Sequence, residues 1–147
     1  MFGGKIFYAF TVGAADGLAL SSEADIWIWS VPFKCKPIRV GVNVTTATSG
    51  NASVVKFDRK VSSASRGDGD VGTLTIPDAT AIGACIYQDS DYVAAGTGYW
   101  DEYLEEGDLV YVQVTTLVAT GKVLPWLVVE IMPERPANNS GMTATSN

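Results

Sequence analysis

Apolar and polar residues alternate along several stretches of the chain, which is the pattern of strands with one buried and one exposed face. The clearest stretch is residues 38–44, where Ile and Val at every second position are separated by Arg, Gly and Asn. Residues 110–114 repeat the pattern with Tyr and Gln between valines. Shorter runs lie at 55–57, 74–76 and 82–87. The pattern therefore predicts a chain built mainly from β-strands.

Three other apolar stretches depart from simple alternation. Residues 25–29 are apolar on both faces apart from Asp25, which predicts a central strand or a strand whose outer face meets a partner. Residues 124–132 predict a last strand, with Pro125 at its beginning. Residues 6–12 predict a first strand rather than a signal peptide, because the run is short and Gly13 and Asp16 prevent it from continuing.

Turn-forming residues separate these runs, at 48–51, 66–70, 106–108 and 119–122. No long helical period is present, and residues 99–106 offer at most one helical turn. About eight short strands joined by Gly-rich turns predict an all-β fold, an antiparallel β-sandwich.

The predicted organisation has three parts. Residues 1–23 form an N-terminal strand or arm, and residues 24–133 form the sandwich. Residues 134–147 contain few apolar side chains and much Ser, Thr and Asn, which predicts a flexible C-terminal tail that cannot fold alone. The two ends are the places where inter-subunit arms are expected.

The composition of the chain restricts the classes of partner that we expect it to bind. Of the 147 residues, 47% are hydrophobic and 18% are charged, so we expect either a small polar surface or apolar surface that partners cover. The net charge of −6 argues against nucleic acid, whose binding requires clustered Lys and Arg. No stretch reaches the ~18 apolar residues of a membrane-spanning helix, so no membrane partner is expected.

Charge is also segregated along the chain. Residues 33–66 hold one acid, Asp58, and seven bases, whereas residues 67–121 hold ten acids and no base. Such segments could meet head-to-tail on neighbouring subunits, which is how rings close. The alternative is that the two patches are exposed and independent. The seven bases are Lys34, Lys36, Arg39, Lys56, Arg59, Lys60 and Arg66.

Little catalytic chemistry is open to this sequence. It has no histidine, which removes Ser-His-Asp and Cys-His catalysis and the usual catalytic zinc sites. Cys35 and Cys85 allow one disulfide at most; two separate buried thiols are favoured, and whether they pair is open. We therefore expect no catalytic residue, no cofactor and no metal ligand.

Acidic clusters leave two minor alternatives. Asp101, Glu102, Glu105, Glu106 and Asp108 either solvate a loop or contain the carboxylate pair of a small hydrolase, with Glu105 or Glu106 essential. The pairs Asp68 with Asp70 and Asp89 with Asp91 supply too few oxygens for calcium on their own and are better interpreted as turn acids. Arg66-Gly-Asp68 and the sequons at Asn43, Asn51 and Asn138 are short matches expected by chance.

Aromatic residues are the candidate contact residues. Trp27 and Trp29 share one face if residues 25–29 form a regular strand, where they fill the core, lie in a subunit interface or stack on sugar rings. Tyr99, Trp100 and Tyr103 form a second cluster with the same alternatives. These five residues are the predicted interface residues.

Three stretches resemble one family. They are residues 38–61 around Thr46-Ala-Thr-Ser-Gly-Asn51, then Gly72-Thr-Leu-Thr-Ile-Pro77 with Ala81-Ile-Gly-Ala84, and Leu104-Glu-Glu-Gly-Asp-Leu-Val-Tyr-Val-Gln-Val-Thr-Thr116 with the strand after it. Together they resemble the jelly-roll decoration (cement) proteins of tailed-bacteriophage capsids. The resemblance covers about residues 24–133 and implies that the antiparallel β-sandwich is jelly-roll-like.

The resemblance implies a non-enzymatic virion protein, made in the host cytoplasm and placed on the capsid surface. Its partners would be two further copies of itself, in a homotrimer, and the major capsid protein. The alternative is a glycan- or receptor-binding module of a head or tail fibre, with the same fold and with its aromatic residues exposed.

Overall fold

The computed structural model describes residues 5–9, 17–23, 25–60, 69–94 and 103–132, with backbone alone for residues 5–9, 27, 93 and 94. Strands dominate these ranges, in line with the alternation of the sequence. They are β1 (Lys5–Ala9), β2 (Leu18–Ala19), β3 (Asp25–Ser30), β4 (Cys35–Ser49), β5 (Ser53–Lys60), β6 (Gly69–Ile76), β7 (Cys85–Asp89), β8 (Leu109–Thr116) and β9 (Thr120–Ile131), with one four-residue helix, α1 (Asp91–Ala94), between β7 and β8.

The strands form two antiparallel sheets. Sheet A has the order β1-β9-β4-β7, with β2 also paired to β9, and sheet B has the order β3-β8-β5-β6. The pairing is nested: β1 lies on β9, β3 on β8, β4 on β7 and β5 on β6. The chain is thus one long hairpin with β5 and β6 at its tip. Rolling this hairpin up places β9 beside β4 and β8 beside β5.

This rolled hairpin is a jelly roll, so the predicted fold class is confirmed. Because antiparallel strands bury one face each, every second side chain points between the sheets. Val40, Val42 and Val44 of β4 are buried there on the side of sheet A, and Phe57 of β5 and the valines of β8 are buried on the side of sheet B. Each such aliphatic or aromatic side chain contributes about 1.5–3 kcal/mol through burial.

The two sheets approach closely at Gly72 of β6. A Cβ atom on this glycine would lie 2.7 Å from Cγ2 of Val40 on the opposite sheet. Any larger residue at position 72 would therefore have to push the sheets apart or displace Val40.

The N-terminal residues belong to sheet A. Both β1 and β2 pair with β9, and Leu18 and Leu20 are core residues. The predicted tail, residues 134–147, lies outside the described residues. Within the described ranges, no helix is both long and apolar enough to cross a membrane.

Two predicted strand boundaries are wrong. The stretch 82–87 becomes a strand only at Cys85, because Gly83 has a φ of 88° and the chain turns before it. Pro125 lies inside β9 rather than at its beginning. It lies between the part of β9 that pairs with β1, which ends at Trp126, and the part that pairs with β2, which begins at Val123. Its missing N–H therefore removes no hydrogen bond to β1 or β2.

Strand β3 lies at the edge of sheet B, not at its centre. Among the described strands it pairs with β8, so the prediction of a central strand is wrong. The alternative, an outer face that meets a partner, stays a prediction. A β-bulge between Trp27 and Trp29 also interrupts the alternation, with Trp27 opposite Tyr111 and Trp29 opposite Val110.

Candidate interaction surface

Four connections of the jelly roll meet at one end of the sandwich. They are residues 20–23, 49–52, 77–84 and 117–119, which we call the loop end. The nested topology brings them together, because after every second strand the chain crosses from one sheet to the other at this same end. Hydrogen bonds join each of these segments to a neighbour.

Three of the segments are tied together around residue 118. The backbone N–H of Val118 donates to the Leu20 carbonyl oxygen at 3.0 Å, and Ala119 N–H donates to Ser49 O at 3.0 Å. The Asn51 side-chain amide donates to Leu117 O at 2.9 Å. The turn between β8 and β9 is thereby held against both neighbouring loops.

Thr48 fixes the fourth segment. Its hydroxyl donates to Pro77 O at 3.1 Å and accepts from Thr80 N–H at 2.8 Å, while its own N–H donates to Thr80 O at 3.0 Å. The residue is 3% exposed, so these bonds are largely shielded from water. Further along, Val44 exchanges backbone bonds of 2.8 Å with Gly83 and Ala84. The loop end is a rigid surface for this reason.

The chemistry of this surface differs from that of the sheet faces. Within the four segments Glu23 and Asp78 are the charged residues. Two of the three exposed large hydrophobic side chains among the described residues lie here, Ile82 at 69% and Leu117 at 37% exposure. A depleted charge and an ordered backbone are typical of a protein-binding surface, because little has to be desolvated or immobilised on association.

The structure describes the side chains of two of the five predicted aromatic residues, Trp29 and Tyr103. Trp29 is half-buried, packs against the core and meets Phe33 edge-on at 6.3 Å between ring centroids. Tyr103 is half-buried under the Lys34 ammonium, 4.2 Å from its ring centroid. Tyr99 and Trp100 lie outside the described residues, and for Trp27 the backbone alone is described. Their interface role stays a prediction, and the contacts of Trp29 are those of a core residue.

An aromatic pair that the sequence reasoning did not single out lies on the outer face of sheet A. Trp126 lies over Gly41, is 7% exposed, and donates its indole N–H to Asn43 Oδ1 at 3.1 Å. Tyr87 packs beside it at 6.2 Å, with the Arg39 guanidinium 4.7 Å from the Tyr87 ring centroid. The sequence signal for this pair is the glycine at position 41, because a glycine on the outward face of a strand leaves room for a large neighbouring side chain.

The fold mixes the charges that the sequence keeps apart. Basic β4 pairs with acidic β7, and basic β5 pairs with β6. Arg39 consequently meets Asp89 at 3.8 Å, and Lys56 meets Asp70 at 2.9 Å and Asp58 at 3.6 Å. These pairs lie within one chain, so they weaken the hypothesis that opposed patches join neighbouring subunits.

The structure describes part of the acidic clusters that the sequence offered as a carboxylate pair or as metal ligands. Asp108 is buried, and its Oδ2 accepts the N–H of Glu105 at 2.9 Å, so it shapes the turn before β8. Asp101 and Glu102 lie outside the described residues. In the part of the chain that the structure describes, no group of three or more acidic, Cys or His side chains is placed to hold a metal ion.

Both cysteines are free thiols. Cys35 is buried as expected, and burial together with the nearby Asp108 raises its pKa to about 12. Cys85 is exposed on β7, so the expectation that it is buried is wrong.

Comparison of the chain with known protein families, with curated proteins and with solved structures found no match. Function is therefore argued from the fold and its surfaces.

Proposed function

We propose that this protein is a non-enzymatic structural protein of a virion. It decorates the outside of a tailed-phage capsid and stabilises it by binding between subunits of the major capsid protein. The observation that carries the proposal is the loop end, where four hydrogen-bonded segments present a surface poor in charge with Ile82 and Leu117 exposed. The resemblance of three sequence stretches to decoration proteins adds the partner.

The physical role requires no chemistry. A protein that binds the assembled shell more tightly than free subunits stabilises the shell by mass action. A rigid contact surface helps, because the entropy of ordering its loops is lost on folding rather than on binding. The absence of histidine from the whole sequence is consistent with this role, since it removes the histidine-dependent forms of catalysis.

Binding to empty capsids of the phage concerned is the direct test. In co-sedimentation, the protein should pellet with assembled capsids and stay in solution with unassembled major capsid protein. Ile82→Glu should weaken binding at least about tenfold, which corresponds to about 1.4 kcal/mol. Gln88→Glu, which adds the same charge at an exposed position of β7, should leave binding unchanged. Equal binding by the two variants would contradict a role for the loop end, and no binding by the wild type would contradict the function.

The same proposal includes a homotrimer, in which Trp27, Trp29, Tyr99, Trp100 and Tyr103 remain the proposed contact residues. Light scattering should give the mass of three chains. Because the observed ion pairs join residues of one chain, the mass should be the same at low and high salt. A single-chain mass at both salt concentrations would rule out the trimer in solution.

A further inference from the structure

A pocket of about 210 Å³ opens on the outer face of sheet B, several residues along β5 from the loop end. Neither the core nor the proposed capsid-binding surface includes it. It is lined by Lys56, Asp58, Arg59, Gly69, Asp70 and Tyr111.

A register irregularity brings two carboxylates to this face. Phe57 pairs with Gly72 and Asp58 pairs with Asp70, so Val71 is an extra residue in β6. In a regular ladder without this shift, Asp58 would pair with Val71, an apolar residue, instead of Asp70. On the other side, Asp58 pairs with Tyr111 of β8, whose neighbours Val110 and Val112 point into the core.

Two acids, Asp58 and Asp70, and two bases, Lys56 and Arg59, line the pocket, so its formal charges balance. Two aspartates directly opposite each other across a ladder repel when both are ionised. Lys56 offsets this repulsion, at 2.9 Å from Asp70 and 3.6 Å from Asp58. Burial and a hydrogen bond with Asp70 raise the pKa of Asp58 to about 6, while the Lys56 ammonium lowers the pKa of Asp70.

We propose that this pocket binds a neutral, hydroxyl-rich ring, such as one sugar unit of a glycan. Sugar hydroxyls donate to carboxylate oxygens and accept from ammonium groups, and both partners are present within the pocket. The two carboxylates disfavour an anion and Lys56 disfavours a cation, whereas an uncharged ligand meets neither penalty.

The size and the wall restrict the ligand. Sites for drug-sized molecules span roughly 300–1,000 Å³, and this pocket, at about 210 Å³, is smaller, which limits the ligand to one ring rather than a chain. Tyr111 supplies the aromatic lining against which the C–H face of a sugar packs. This site stands independently of the capsid-binding role.

The test is an NMR titration of the full chain with neutral monosaccharides, observing backbone amide shifts. We expect saturable shifts confined to residues 56–59, 69–70 and 111, with millimolar dissociation constants. Asp70→Asn and Tyr111→Ala should each weaken binding at least about tenfold, the effect of losing one good contact. Thr75→Ala, at an exposed position of β6 beyond the pocket, is the matched control and should bind as the wild type does.

The wild-type map decides the result even if a variant fails to fold. Shifts that are absent, that do not saturate or that lie elsewhere would overturn the site. Inorganic phosphate and calcium are the comparison probes. Shifts of the pocket residues with either of these, and none with sugars, would overturn the assignment of a neutral ligand.

Discussion

Gly41 lies directly beneath the indole ring of Trp126, at a place where a Cβ atom would overlap the ring. The two residues are paired in register between β4 and β9, the two central strands of sheet A. A glycine normally weakens a strand, because it has no side chain to pack. Here the missing side chain makes room for the indole, which then reaches Asn43 with its N–H.

Gly41→Ala should therefore destabilise the protein, by about 1–3 kcal/mol in urea unfolding, because the added methyl group displaces the indole. In a Trp126→Ala background the same substitution should cost nothing or stabilise slightly, since the overlap is gone. An equal cost in both backgrounds would show that the ring is not what excludes a side chain at position 41.

Thr48→Val should loosen the loop end. The change keeps the shape of the side chain but removes the hydroxyl that joins Pro77 and Thr80. The shielded N–H of Thr80 then loses this acceptor, and the carbonyl oxygen of Pro77 loses this donor. We expect a loss of about 1–3 kcal/mol in the free energy of unfolding. Amide hydrogen exchange at residue 80 should also become faster. Thr46→Val, at an exposed position of the same strand, is the control and should change neither quantity.

The stability of the protein should depend on Asp58 between pH 4 and pH 8. Its pKa is about 6 in the folded chain, above its ordinary value of 3.8, because burial and Asp70 disfavour the ionised form. Folding stability is therefore lost as the pH rises through about 6 and regained as it falls toward 4, by on the order of 1–3 kcal/mol.

Asp58→Asn should flatten this dependence, since the group that titrates is gone. Urea unfolding at several pH values gives the slope directly. Asp70 acts in the opposite sense: its lowered pKa contributes stability above about pH 4, which is lost on further acidification. A wild-type protein that gains stability from pH 5 to pH 8 would contradict the assignment.

The two thiols should differ in reactivity. Cys85 is exposed, whereas burial and Asp108 raise the pKa of the Cys35 thiol and hold it protonated well above neutral pH. Alkylation of the folded protein at pH 8, with mass spectrometry of the product, should modify Cys85 alone. Both should react after unfolding in guanidinium chloride. Modification of Cys35 at a similar rate in the folded protein would show that the region around β4 opens readily.

Local alternation was enough to find some of the strands, because side chains alternate between two faces whatever the partner strand is. The strand at residues 110–114 and the one around Val40 were predicted on this basis and are present as β8 and β4. Boundaries failed where backbone geometry overrides hydrophobicity. Ile82 continues an apolar run, yet the left-handed Gly83 turns the chain before β7 begins.

Partner strands could not be deduced in the same way. Nothing in the sequence around Asp25 indicates that β3 lies at the edge of a sheet, because its partner strand, β8, is distant in the sequence. The extra residue at Val71, which places Asp58 opposite Asp70, is likewise invisible without the register. The candidate surfaces depend on these non-local pairings: the loop end needs four segments to meet, and the pocket needs three strands side by side.

The nested pairing of the strands has a consequence for how the chain is made. Of the strands that the structure describes, β1 leaves the ribosome before the others, but its partner β9 is made after all of them, and β9 also separates β4 from β1. At about 5–20 residues per second, the chain takes roughly 7–30 s to translate. The pairings of β1, β2 and β4 with β9 cannot form until β9 has been made, and sheet A stays incomplete until then. A nascent chain of this topology depends on chaperones, or on rapid completion, to avoid aggregating before its last strand arrives.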